Sequence, residues 1–333
     1  MANEGTSRDQ AARLEEMGIV EDDGSEALAA LEAEQRDREK LQRQALDKAF
    51  GNFGYIVMPG EADPPILNPA LRTALHHWLF EMNATNELKA AGLKPRTRAL
   101  LSGPPGCGKT TLAHHIAARL GVPMVVIQAH VLMSKYVNES GERIGKLFRA
   151  ARKSADPVAL FFDEFDATAK SREGKGRNGA EDERASITIS FMQELDRYEG
   201  LLFAATNEPG NIDRAIWRRF QMQIEIGLPG EVERDAIVRL YMRPFNCEEP
   251  TIKYLSDLFA GASPALIREC CETLKRGLVL APKMNLSTEL PDMMRRLVAV
   301  VAPADEAEPP ALWTNTSGLI SGSADVPWPP VRA

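Results

Sequence analysis

Hydrophobic and polar positions along this chain fall into three regimes. Between Arg98 and Ile226 short apolar runs recur: "RALLSG" (98–103), "PMVVIQ" (123–128), "PVALFF" (157–162), "LLFAAT" (201–206) and "MQIEI" (222–226). All but the last are nearly unbroken, the pattern of strands buried on both faces. Helical patterns separate them, notably "TTLAHHIAARL" and "ERIGKLFRAARKS". This alternation predicts an α/β fold with a parallel sheet and helices on both faces. From Glu231 the strand pattern stops. "EVERDAIVRLYMR", "IKYLSDLFA", "SPALIRECCETLKRGLVL" and "LPDMMRRLVAVVA" predict a small all-helical domain.

The flanks read differently. "EALAALEAEQRDREKLQRQALDKAF" (26–50) is rich in helix formers and charge, with a thin apolar stripe of Leu28, Leu31, Leu41 and Ala45. The stripe fits a solvated connector helix or a coiled-coil or docking arm, and is too short to choose. "GNFGYIVMPGEADPP" is a Gly/Pro-punctuated junction that opens the folded body. The chain thus divides into a partly disordered helical arm (1–55), an α/β domain (56–230), a helical domain (231–302) and a Pro-rich tail (303–333) expected to be disordered.

Composition narrows the function. The 333 residues are 44% hydrophobic and 26% charged, as in globular proteins, and suffice for a sizeable core. A net charge of -7 argues against a nucleic-acid protein held by bulk charge. No apolar run approaches the ~18 residues of a membrane helix. The polar N-terminus resembles no signal or transit peptide. Cys107, Cys247, Cys270 and Cys271 lack zinc-type spacing, so reduced thiols and a cytoplasmic location are expected.

The chemistry concentrates in two motifs. "GPPGCGKT" (103–110) is a G-x-x-x-x-G-K-T phosphate loop that follows a predicted strand and opens a predicted helix. Pro105, Gly106, Cys107, Gly108, Lys109, Thr110 and Thr111 surround the phosphates of a nucleotide in such a loop, and all but Pro105 offer a backbone N–H to them. Lys109 supplies a point charge to the β- and γ-phosphates, and the Thr110 hydroxyl can ligate Mg2+. About fifty residues on, "ALFFDEFD" sets acids at the carboxyl end of a predicted strand, where ligands bind in such sheets. Asp163 is placed to hold Mg2+, and Glu164 to deprotonate a water. Asp166 reads as a helix-start residue.

Together these segments resemble the AAA ATPase family in its narrower sense, the group with spastin, katanin and the membrane-anchored AAA proteases. The resemblance covers roughly residues 64–299. "GPPGCGKTTLA" is similar to the family's Walker A, "ALFFDEFDA" to Walker B, "AATNEP" to the sensor-1 segment and "IDRAIWRRFQMQIEIGLP" to the second region of homology. It implies a P-loop NTPase sheet followed by a helical lid, with ATP and Mg2+ as cofactors. Asn207 is then the water-positioning residue, although it could instead cap a strand-end turn. Arg218 and Arg219 are arginine fingers, with a solvated basic pair as the alternative. "SKYVNES" resembles the first pore loop, so Lys135, Tyr136 and Val137 would contact a protein substrate; a packing role for Tyr136 is the other reading. "SREGKGRNGAEDER" (171–184) is a second pore-facing loop or a disordered insertion. "FAGASPALIREC" puts Gly261 and Ala262 close to the nucleotide, with Arg268 a turn later as a sensor candidate.

The sequence departs from the family at four places, one of them "FAGASPALIREC", which offers no arginine at the start of its helix. Asn138 stands where relatives usually have glycine. Ala185 and Ser186 occupy the place of a common arginine pair. The Asp-Ile-Gly pattern before the phosphate loop is missing. The implied function is an ATP-driven protein remodeller or unfoldase working as a homo-oligomer, a hexameric ring or spiral, that threads polypeptide through a central pore. A separate effector such as a protease is a partner that the resemblance allows; the chain itself contains no H-E-x-x-H. A nucleotide-gated scaffold and a nucleic-acid motor are the alternatives, the motor disfavoured by the acidic balance.

Overall fold

The computed structural model describes residues 24–132, 139–168, 179–303, 309–321 and 326–332. It has two compact units, residues 1–52 and 53–333. The first is described from its helix, Gly24–Phe50, which covers the helix-forming stretch 26–50. Its charged middle is exposed, and Leu41 of the thin stripe remains 68% exposed. Gly51 closes the helix by donating its amide to the Asp47 carbonyl.

The second unit is built on a six-stranded sheet. Its strands are β1 (Gly54–Val57), β2 (Arg98–Ser102), β3 (Met124–Ile127), β4 (Ala159–Phe162), β5 (Leu202–Thr206) and β6 (Met222–Glu225). They lie in the order β1-β3-β4-β5-β2-β6, with β1 antiparallel to β3 and all other neighbours parallel. All five predicted strands are present. β1 is an addition: the junction read as Gly/Pro punctuation contributes an antiparallel edge strand from Gly54. A Cβ on Gly54 would overlap the Val126 carbonyl of β3, so only glycine permits this pairing.

Two-residue periodicity explains the layers. Ala99, Leu101, Val126, Phe161 and Phe203 face one side, where they pack with Leu75 and Trp78 of the helix Pro69–Asn83 and with Leu112 and Ile116 of the helix Lys109–Arg119. On the other side Phe162 stacks with Phe148 at 6.1 Å and meets Phe191 edge-on at 5.0 Å. Phe165 and Phe220 extend this aromatic layer. Asn68 caps the helix Pro69–Asn83 by accepting the Leu71 amide at 2.8 Å, and the Trp78 indole donates to the Arg96 carbonyl at 2.7 Å. These bonds fix the approach to β2.

The helical part has a separate core. The helices Glu231–Met242, Glu249–Leu258, Pro264–Leu280 and Leu290–Val300 bury Val238, Leu255, Phe259, Ile267, Cys271, Met294 and their neighbours. The strands do not wholly stop at Glu231. β7 (Phe245–Asn246) pairs antiparallel with β8 (Val331–Arg332). The expectation of a disordered tail fails for the described residues after 308. Leu312 and Ile320 are buried in the helical core, and Trp313, Val326 and Trp328 pack against it. The Trp328 indole donates to the Thr288 carbonyl at 2.9 Å, and the Thr251 hydroxyl donates to the Pro327 carbonyl at 2.7 Å. These large apolar side chains, scattered through a Pro-rich stretch, bury enough surface to order it.

Candidate functional site

β2 ends at Ser102 and the chain turns at once into the phosphate loop. Gly103 has a φ of +143°, and a Cβ there would lie 2.1 Å from the Ile226 carbonyl oxygen. Any larger residue would push the loop off the sheet. Gly108, with a φ of +88°, precedes the helix Lys109–Arg119, whose first amides receive no side-chain cap. They therefore point into the loop as donors, joined by the positive end of the helix dipole. This donor set suits an anion such as a phosphate chain.

Lys109 is buried beneath that loop. Its ammonium donates to the Gly103 carbonyl at 2.7 Å, the Pro104 carbonyl at 2.8 Å and Asn207 Oδ1 at 2.7 Å. Burial lowers its pKa, while Cys107, Asp163 and Asp166 pull the other way. Asn207 arrives through sheet register. Ser102 pairs with Thr206, so the residues that leave β2 and β5 emerge side by side. Thr206 donates its hydroxyl to Asp166 at 2.9 Å and accepts the Glu208 amide at 3.0 Å. Asp166 thus ties the helix Phe165–Thr168 to the end of β5, beyond its position at the helix start.

The paired acids leave β4. Asp163 is half-buried and accepts the Glu164 amide at 3.0 Å. Glu164 is exposed, with a left-handed φ of +49°. That conformation is uncommon outside glycine and turns the chain sharply between strand and helix. One turn further into the helix Lys109–Arg119, His114 has a lowered pKa through burial, opposed by Asp163, Glu61 and Asp63.

The helical domain meets the loop directly. Ser263 caps the helix Pro264–Leu280 by accepting the Leu266 amide, and the Ala265 amide donates to the Gly106 carbonyl at 3.2 Å. A Cβ on Gly106 would crowd both Ser263 and Ala265. Beside this contact lies a cleft of about 430 Å³ lined by Pro65, Ile66, Cys107, Thr111, Tyr241 and Arg268, among others. It is apolar with few polar groups, as small-molecule pockets are. Gly261 and Ala262 do not line it. Ala262 is buried in the helical core, and Gly261, with a φ of +83°, faces Pro310. Arg268 does reach the cleft, with its guanidinium 5.6 Å from the Tyr241 ring and its Nε bonded to Glu272. Sequence reasoning missed Ile66 and Tyr241. They come from segments about 175 residues apart and share no local pattern.

Arg218 and Arg219 lie elsewhere. The Gln221 amide donates to the Arg98 carbonyl, which places this segment at the start of β2, whereas the phosphate loop leaves its end. Five residues of strand separate them by about 16 Å. Arg219 forks onto Asp196, with Nε to Oδ1 at 2.9 Å and a terminal nitrogen to Oδ2 at 3.0 Å, and also bonds the Ala215 carbonyl. Arg218 is exposed, and its side chain has no hydrogen bond or ion pair among the described residues. Lys135, Tyr136 and Val137 lie outside the described residues, as does most of 171–184; the helix Gly179–Arg197 begins within that stretch.

Residues 99–228 match the family model described as "ATPase family associated with various cellular activities (AAA)". Three curated relatives illustrate the likeness. An AAA family ATPase of Sinorhizobium fredii, y4kL, is 42% identical over 142 residues, covering 42% of each chain. The ATP-dependent zinc metalloprotease FtsH of Photobacterium profundum is 36% identical over 197 residues, 56% of this chain and 28% of that protein. The ATPase family protein 2 homolog of Caenorhabditis elegans is 35% identical over 190 residues, 55% of this chain and 26% of that protein. The chain spans less than half the length of the curated relatives it matches.

Proposed function

This chain belongs to the AAA family of ATPases through its domain at residues 99–228, and from that premise we propose that it hydrolyses ATP as a ring oligomer to remodel or unfold protein substrates. The observation that carries the reading is the convergence at the carboxyl ends of β2, β4 and β5. There the glycine-shaped loop, buried Lys109, Asn207 and the Asp163–Glu164 pair meet beside an apolar cleft.

In this reading the backbone amides from Gly106 to Thr111 and the Lys109 ammonium hold the phosphates, Pro105 shapes the loop, and the cleft of Ile66 and Tyr241 takes the base. Thr110 and Asp163, an oxygen donor pair beside the loop, would hold Mg2+. Bound Mg2+ would neutralise charge on the β- and γ-phosphate oxygens. Glu164 accepts the proton of the attacking water, and Asn207 orients that water. Lys109 already lies against Asn207, so a phosphate that draws the lysine forward also frees the amide to bind water.

Arg218 and Arg219 serve a neighbouring subunit, a reading supported by their position at the other end of β2 from their own Lys109. An arginine supplied in trans is worth about 10³–10⁵ in rate. Hydrolysis therefore needs an oligomer, for which a hexamer is the natural form in this family. Lys135, Tyr136 and Val137 line its channel and grip polypeptide through the aromatic ring. A separate effector, a protease for example, is a candidate partner. Among the described residues no helix is long and apolar enough to cross a membrane. The test is ATPase assay with a trap: Glu164→Gln is expected to bind ATP, abolish turnover and retain substrate in a pull-down. Wild-type turnover by that variant would overturn the reading.

A further inference from the structure

Arg219 does not stand alone at the start of β2. The Arg98 backbone is pinned to the same segment from both sides: its carbonyl accepts the Gln221 amide, and its amide donates to Gln221 Oε1, each at 3.2 Å. By the two-residue alternation of β2 the Arg98 side chain is on the face opposite Ala99 and Leu101, the face covered by the helix Gly179–Arg197 that carries Asp196, and it feels the charge of Asp196 and Arg219. Its Nε is buried with no hydrogen-bond partner. A buried donor left without an acceptor is uncommon and costs stability. The carboxylate whose charge reaches this side chain, Asp196, already holds the Arg219 fork on both oxygens.

We propose that Asp196 is a two-position mount for the trans-acting arginine, with Arg98 as its second cation. The inference rests on the reading of Arg219 as a group that serves the neighbour's site. With no phosphate in reach, Asp196 holds Arg219 in a fixed orientation at the subunit edge. When the neighbour's nucleotide draws Arg219 outward, Asp196 loses its partner and Arg98 takes the released carboxylate, satisfying its own Nε–H. Arg219 leaves without stranding a charge. Asp196 and Arg98 are positioning residues: neither touches the nucleotide, and both act through Arg219. The Arg219–Asp196 pair is about one-third and one-half exposed, so it is weak enough to exchange.

Mixed oligomers test this directly. Glu164→Gln protein supplies an intact Arg219, and Arg219→Ala protein supplies an intact Glu164. Under the proposed function, mixing these two inactive chains under conditions of subunit exchange restores hydrolysis. Asp196→Ala is then added to one chain at a time. Placed in the Glu164→Gln chain, which carries the working arginine, it is expected to lower the restored kcat about tenfold. Placed in the Arg219→Ala chain it is expected to change little, because no arginine there needs mounting. Arg98→Met is expected to show the same asymmetry. A structural defect would act in either chain, so equal losses in both placements overturn the proposal, and so does the absence of loss in both. If the parent mixture itself stays inactive while gel filtration shows mixed oligomers, the trans reading of Arg219 falls first and this inference falls with it.

Discussion

The ammonium of Lys109 donates to Asn207 Oδ1 at 2.7 Å, joining the phosphate loop after β2 to the residue that follows β5. Two side chains 98 positions apart in sequence meet because their strands are neighbours in register. Lys109 keeps two further acceptors, the Gly103 and Pro104 carbonyls. Asn207→Ala is therefore expected to leave ATP affinity within a few-fold of wild type and to lower kcat by roughly 10²-fold, the scale of one lost positioning group. Asn207→Asp is expected to weaken ATP binding instead, since a carboxylate would compete with phosphate for the lysine. Equilibrium binding and steady-state hydrolysis separate the two.

Glu164 occupies left-handed backbone space, and glutamine does so as readily as glutamate. Glu164→Gln is expected to fold normally and to lose roughly 10²–10⁴ in kcat. Glu164→Val adds a β-branched residue at positive φ, so it is expected to lower the melting temperature as well. Calorimetry beside ATPase assays tests that contrast.

The proposed pore role of Tyr136 predicts a separation of activities. Tyr136→Ala is expected to retain basal ATP hydrolysis and lose remodelling of a model substrate, measured by unfolding of a fluorescent protein. Full remodelling by the variant would favour a nucleotide-gated scaffold; equal loss of both activities would point to packing.

Residues 309–321 are expected to behave as part of the helical domain. Leu312 is fully buried in that core. Leu312→Ala is expected to cost about 2–5 kcal/mol of the domain's stability. Denaturant titration followed by Trp313 and Trp328 fluorescence would detect it. An unchanged midpoint would show that the segment contributes nothing to the domain.

Three thiols in the same domain give a pH signature. Burial pushes Cys247 up to about 11 and Cys270 up to about 12, and raises Cys271 as well, from an ordinary thiol value of 9.0. Above that value the unfolded chain releases thiol protons that the folded domain keeps. The folded state then binds more protons, so stability falls as pH rises. The loss is expected to begin near pH 9 and to grow towards pH 11–12, and Cys271→Ala is expected to flatten it. Alkylation of Cys247 at pH 8 is expected to be slow, with thiolate scarce.

The sequence made some of this legible and hid the rest, for physical reasons. β2 to β5 were readable because strands buried on both faces must be apolar throughout, as "ALFF" is. β1 was not, since an edge strand of four residues with Tyr55 half-exposed and Gly54 at its start carries no periodic signal. The order of the terminal segment was hidden for a different reason. Its anchors, Leu312, Ile320 and Trp328, are single residues among Pro, Gly and Ser, and only the helical core they enter gives them meaning. In the site, the loop Gly103–Thr110 and the Asp163–Glu164 pair were legible because their chemistry is local in sequence. The cleft walls of Ile66 and Tyr241, and the grip of Asp196 on Arg219, are made by the fold.

β2 gives the domain a polarity. One end of this five-residue strand carries the phosphate loop and the other is bonded to Gln221, two residues beyond Arg219. If those ends complete each other between copies, the contact is head-to-tail, with different surfaces meeting. Such a contact cannot close in a pair: a dimer would keep one unused loop and one unused arginine. Each added copy removes one open end and supplies another, until the rotation per subunit either brings the last copy back to the first or carries the chain of copies onward as a helix. The angle between neighbours would then decide whether every site is completed.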